Sequence, residues 1–178
     1  MNKDVPFAPI EGRSNISLLQ GAIKLDLSGT DLLFPDTGRQ GDVHVQFSDF
    51  SQLPYPVGGA YIPHWVYTVQ PTGVRVEGEM QVDLAMPKLN QSYDYLPDEG
   101  DHVLMLGIDL QSRHIVPVGV ARIENHRAIS AGKQHYQALD VLGYALVPRE
   151  AQPPMQAYAD GELDLRQLQI ALDNLTEQ

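Results

Sequence analysis

Six histidines, at 44, 64, 102, 114, 126 and 135, and 23 acidic side chains are the groups that could do chemistry in this chain. A transition-metal site needs two or three of them to converge, usually starting from a close-spaced pair on one element. No two histidines stand at i, i+2 on an expected strand or at i, i+4 on an expected helix. His126 and His135 flank a hairpin-like segment and could approach each other, but exposed loop histidines are the plainer reading. The acidic loops suit a harder cation. Asp98-Glu99-Gly100-Asp101, and Asp26 with Asp31 and Asp36, place carboxylate oxygens in turns, the ligand type that Ca²⁺ takes. Asp98, Glu99 and Asp101 are the metal ligands to test. Otherwise no cofactor is expected.

Other chemistry finds less support. No Gly-x-Ser-x-Gly elbow presents a nucleophilic serine, and no phosphate-binding glycine loop precedes a helix. The tyrosines offer an aromatic surface. Tyr61, Tyr67 and Trp65 sit in a β-branched run and read as core, with Trp65 as the large anchor. Tyr93 and Tyr95 lie in the polar loop 88–101 and are the exposed candidates for ligand or partner contact.

Composition narrows the partners. A net charge of -11, from 23 acids against 12 bases, repels phosphate backbones and disfavours nucleic acid and anionic membranes. With no cysteine, disulfides and thiolate metal sites are excluded. Residues 1–20 carry no apolar core of signal-peptide length, and no run approaches about 18 apolar residues. The compartment is left open, with the cell surface or exterior expected if the chain is a fragment of an exported protein.

The elements that must position these groups are short strands. Ile23, Leu25 and Leu27, then Val43, Val45 and Phe47, then Met80, Val82, Leu84 and Met86 alternate with polar residues, the period of a strand with one wet face. Val103–Asp109 and Ile115–Val120 are instead continuous apolar runs joined by a polar turn, as in a hairpin covered on both faces. Residues 28–41 and 88–101 read as loops. Thirteen prolines and 15 glycines spread along the chain fit many elements joined by turns.

From these patterns we expect an all-β fold: an antiparallel β-sandwich of Ig-like, Greek-key type with a C-terminal α-helix. Residues 1–15 would be a flexible arm, 16–147 the sandwich, 148–160 a proline-rich linker and 161–176 the helix. Its core would hold Trp65, Met80, Val82, Leu84, Val103, Met105, Ile108, Val116, Val118 and Leu142. Ile10-Glu11-Gly12-Arg13 also matches the recognition tetrapeptide of a tag-removal protease, as a scar or by chance. Leu165, Leu168, Leu172 and Leu175 recur at helical spacing on one face. A helix of about fourteen residues is marginal alone, so this face must dock on its own domain or on a partner.

The segment order resembles a bacterial β-sandwich module of large surface-exposed proteins, including the region ahead of the repeats in Rhs-type toxins. That module is similar in turn to the β-sandwich of ankyrins and netrin receptors. The resemblance rests on Tyr67-Thr68-Val69-Gln70-Pro71-Thr72-Gly73-Val74, which carries the turn, and the strand Val82–Pro87. Leu96–Val103, Ile108-Asp109 with Ile115–Gly119, and Leu139–Ala145 complete it. It covers about residues 20–146 and contains no catalytic motif. What it implies is a non-catalytic structural or adhesive module that contacts other protein domains or subunits, or a second copy. The eukaryotic self-cleavage sequence His-Phe-Ser has only His64-Trp65-Val66 as its counterpart, without the serine nucleophile. A ligand-binding module, calcium-dependent or carbohydrate-binding, is the alternative.

Overall fold

A computed structural model describes residues 8–11, 14–35, 38, 40–48, 55–57, 63–86 and 98–176. Alternating segments form twelve strands among these residues. They are β1 (Ala8–Glu11), β2 (Asn15–Leu18), β3 (Ile23–Asp26), β4 (Thr30–Leu33), β5 (Gln40–Ser48) and β6 (Trp65–Gln70). β7 (Arg75–Gly78), β8 (Gln81–Ala85), β9 (His102–Ile108), β10 (Ile115–Glu124), β11 (Arg127–Ala131) and β12 (Val141–Ala145) follow, then helices α1 (Gln152–Ala159) and α2 (Leu165–Thr176). Ten strands pair in the order β1-β5-β6-β12-β9-β10-β11-β8-β3-β2, and β4 pairs with β7 in a separate ribbon. Every pairing between these strands is antiparallel, and Val57 adds an isolated parallel bridge to Ile115. The chain is a mostly antiparallel β fold with a helical C-terminus.

The large sheet curls almost onto itself. Its two edge strands, β1 and β2, are joined by residues 12–14. Three linking residues span at most about 15 Å, so the two edges lie near each other. Inside the curl, alternate residues of strands from both halves form one core. Ile23, Leu25, Val82 and Leu84 meet Val43, Val45, Val69, Met105 and Leu142 there.

β9 is buried at all seven positions. Its inner residues, Val103 and Met105, join that core. Its outer residues, Leu104, Leu106 and Ile108, belong to a second core with Val120, Ala151, Met155, Tyr158, Leu168 and Leu172. The hairpin of β9 and β10 is therefore covered on both faces, and its second cover is the pair of helices.

Several expected boundaries move. Residues 148–160 are not a linker: Arg149–Ala151 makes a 3-10 turn that runs into α1, burying Ala151, Met155 and Tyr158. Pro153 and Pro154 lie in the first turn of α1, where a missing N–H leaves no hydrogen bond unmade. The last helix starts at Leu165, with Asp164 as its cap. The Gln167 N–H donates to Asp164 Oδ1 at 2.8 Å, and the Asp164 N–H donates to Gln167 Oε1 at 2.9 Å. Within the arm expected at 1–15, Ala8–Glu11 pairs with β5 and Ile10 is buried in the core. Ile10 and Glu11 are thus part of a paired strand. Thr30–Leu33, expected in a loop, forms β4. Among the expected core residues, Trp65 and Val116 are only half-buried.

Two repairs hold the sheet where its ladder fails. Between Pro117 and Gly119 the register of β10 on β9 shifts, leaving Val118 bulged. The segment after β11 crosses there. The His135 N–H donates to the Val118 carbonyl at 2.8 Å, and buried Gln134 donates to the Val120 carbonyl at 2.9 Å. The Gln134 amide lies against Gly119 so closely that any Cβ there would collide with it. β8 and β11 pair only from Asp83–Ile129 to Ala85–Arg127. One residue further on, the Ser130 hydroxyl accepts the Val82 N–H at 2.8 Å and donates to the Val82 carbonyl at 3.0 Å.

Candidate functional site

The acidic loop residues are engaged in local structure. The Asp98 N–H donates to Asp101 Oδ2 at 2.8 Å, and the Asp101 N–H returns to the Asp98 carbonyl at 3.0 Å. Glu99 reaches across to the tip of the β10–β11 hairpin. Its carboxylate accepts the N–H groups of Asn125 at 3.0 Å and His126 at 3.2 Å. Both of those residues have left-handed backbones, so their successive N–H groups point the same way, at one anion. These bonds hold the Glu99 carboxyl below its ordinary range. Among the described residues no three His, Asp or Glu side chains gather as metal ligands. Tyr93 and Tyr95 lie outside the described residues.

The leucine stripe of the last helix is used within the chain. Leu168 and Leu172 are buried in the second core, with Leu165 and Leu175 packed at its margin. The helix docks on its own sheet, so this face is not open to a partner. On the opposite side Ile170 stands 52% exposed. Among the described residues no helix is long and apolar enough to cross a membrane.

An exposed aromatic group stands elsewhere. Phe47, near the end of β5, continues the inward row of Val43 and Val45 yet remains 45% exposed. Its ring lies 4.2 Å from that of Trp65 and 6.3 Å from that of Tyr67, which pairs with it across β5–β6. Trp65 and Tyr67 are edge to face at 6.3 Å, an arrangement aromatic rings favour. The Trp65 indole N–H is buried and meets no acceptor among the described residues. Trp65 is itself half-buried, with the exposed ring of Phe47 against it.

At the other end of β6 a buried carboxylate ties distant loops together. Asp140, just before β12, accepts the Gly73 N–H at 2.8 Å, the Tyr55 hydroxyl at 3.4 Å and Arg113 Nη2 at 3.4 Å. The Arg113 guanidinium also stands 5.4 Å above the Tyr55 ring. Burial first, and then the Asp140 charge, push the Tyr55 hydroxyl pKa up. With three donors converging on it, Asp140 is satisfied and serves as a knot between four segments.

No protein-family model, curated protein or solved structure matches this chain.

Sequence reasoning placed Trp65 and Tyr67 correctly in a strand but missed Phe47 and Asp140. The signal for Phe47 was its place as the last apolar residue of an alternating row, beside Ser48. The signal for Asp140 was a lone acid inside an apolar run.

Proposed function

We propose that the chain is a non-catalytic structural and interaction module of a larger bacterial assembly, at a surface, secreted or toxin-associated. Its partner contact is the aromatic patch of Phe47 and Trp65. The observation that carries this reading is the exposure of Phe47 stacked on the only tryptophan. Aromatic side chains at a sheet end supply large contact area at low entropy cost, and they are enriched at interaction hot spots. The strand and turn resemblance to the module of Rhs-type proteins supports the same reading. So does the engagement of Asp140, Glu99 and Asp101 in hydrogen bonds within the fold. In this reading the curled sheet is the two layers of an Ig-like sandwich. A core shared by strands from both halves supports that arrangement. The helix docks inward, and contact with neighbouring domains falls to the β5–β6 end.

Trp65 makes the test direct, because its emission reports on the patch alone. Candidate neighbouring domains, a second copy and a panel of glycans are titrated while Trp65 fluorescence is followed. A saturable shift that Phe47→Asp weakens at least tenfold supports the module. Binding with the same affinity in Phe47→Asp removes the patch from the proposal. A protein-free glycan that shifts Trp65 in its place identifies a ligand-binding module.

A further inference from the structure

We propose that the outer face of β2, β3, β8 and β11 binds a short neutral oligosaccharide. In this half of the sheet every second residue turns away from the core. Asn15 and Ser17 of β2, Lys24 and Asp26 of β3, and Gln81 and Asp83 of β8 alternate with core-packed neighbours. The register sets them in two rows across the strands, Ser17–Lys24–Asp83–Ile129 and Asn15–Asp26–Gln81. Rows two residues apart stand about 7 Å from each other. Between them an open trough of about 410 Å³ crosses all four strands. Three interstrand spacings make it about 14 Å long. Its volume is that of a small-molecule site.

The walls offer both halves of a hydrogen bond. Among the described residues, no side-chain hydrogen bond or ion pair engages Asn15, Gln81 or Lys24. The two amides donate and accept, and the ammonium donates. The carboxylates are already held in place. Asp83 Oδ1 accepts from Arg127 Nε at 2.5 Å, and Asp26 Oδ1 accepts the Ser28 N–H at 3.0 Å. Arg127 is itself anchored on the Gly21 carbonyl at 2.7 Å. Each carboxylate keeps further acceptor capacity on a side chain that is already oriented. Half-buried Ile129 gives the trough an apolar wall.

These groups select the ligand class. Lys24 and Arg127 offset Asp26 and Asp83, so the site holds no net charge, and the chain's net charge of -11 repels anions. The strand backbones that floor the trough use their N–H and C=O groups in the ladders of β3 with β2 and β8. An extended peptide finds no strand edge to continue on this face, and recognition falls to side chains. A saccharide hydroxyl both donates and accepts, and the C–H face of a sugar ring suits Ile129. Asp26 and Asp83 are diagonal neighbours across β3 and β8. Such neighbours stand about 7–8 Å apart, a spacing that glycosidase carboxylates also span. Both are engaged here as acceptors, so the site binds sugar and does not cleave it. It lies in the other half of the sheet from Phe47 and Trp65.

The full chain, isotope-labelled for NMR, is titrated with neutral trisaccharides of glucose, mannose, galactose and N-acetylglucosamine. Inorganic phosphate and putrescine serve as charged controls. At least one trisaccharide should move the amides of Lys24, Asp26, Gln81 and Asp83 saturably, with a dissociation constant of about 10 mM or tighter. Trp65 emission should stay unchanged, and the sugar should be recovered intact. Gln81→Ala and Lys24→Ala, both outside the core, should each weaken binding about fivefold, the loss of one or two hydrogen bonds. Their unfolding midpoints should match the wild type. If no trisaccharide moves these amides at about 50 mM, the site does not exist. Equal shifts with phosphate or putrescine, or wild-type affinity in both variants, overturn the assignment as well. Cleavage of the sugar overturns the reading of Asp26 and Asp83 as acceptors. Shifts confined to Phe47 and Trp65 give the sugar to the aromatic patch and remove it from this face.

Discussion

Arg113 reaches Asp140 at 3.4 Å from the turn between β9 and β10, where its own backbone is left-handed, with φ of 61°. The two partners are unequally placed: the Asp140 side chain is wholly buried, whereas that of Arg113 is 44% exposed. Their removal should therefore have unequal effects. A half-exposed cation gives up one screened attraction, while loss of the carboxylate strands several donors in the interior.

Asp140→Ala should lower stability by about 3 kcal/mol, because the Gly73 N–H, the Tyr55 hydroxyl and Arg113 lose their acceptor together. Arg113→Ala should cost about 1 kcal/mol or less. Urea unfolding of the two variants measures the difference. Equal effects would mean that Asp140 acts only as the partner of Arg113 and not as a knot.

Gly119→Ala should destabilise by about 2 kcal/mol or more, because the new methyl meets the buried Gln134 amide. Gln134→Ala in the same chain should recover part of that loss, since it clears the space. A double-mutant cycle with a coupling of at least about 0.5 kcal/mol is the expected outcome; additive effects refute the contact.

Ser130→Ala removes both bonds that close the gap between β8 and β11 and should cost about 1–2 kcal/mol. The Val82 amide should lose exchange protection more than its neighbours. Ser130→Thr keeps the hydroxyl and should restore protection at that amide. If it does not, another group closes the gap.

Glu99 links the loop before β9 to the β10–β11 tip. Its carboxyl is held below the ordinary value of 4.5, chiefly by the Asn125 N–H and then by that of His126. A carboxyl depressed in the folded state adds stability above its ordinary value and withdraws it as pH falls through the lower folded value. The chemical shifts of the Asn125 and His126 amides should move together below about pH 4.5 in the wild type and lose that titration in Glu99→Gln.

What could be read from the sequence was the part decided by local pattern. The β9–β10 hairpin was legible because Val103–Ile108 and Ile115–Val120 are long apolar runs on either side of one polar turn. The identity of their second cover was not. Helix α1 begins in a proline pair, and proline in a helix's first turn looks the same in sequence as proline in a linker. Asp140 was opaque for a different reason. Its donors come from residues 55, 73 and 113, and no spacing rule connects those positions before the sheet is built. Phe47 follows the alternation of β5 faithfully, so the pattern alone assigned it inward. Only its place near the strand's end leaves it wet.

The short link between β1 and β2 sets an order of events. These strands are neighbours in the chain, yet eight others separate them across the sheet. Neither can find its partner's side of the ring until β5 and β3 are in place, so closure comes late and depends on distant contacts. Until then two unpaired strand edges are open to other molecules, the condition under which β proteins associate edge to edge. In the folded chain the two edges are held near each other on one short tether, with no ladder between β1 and β2 among the described residues.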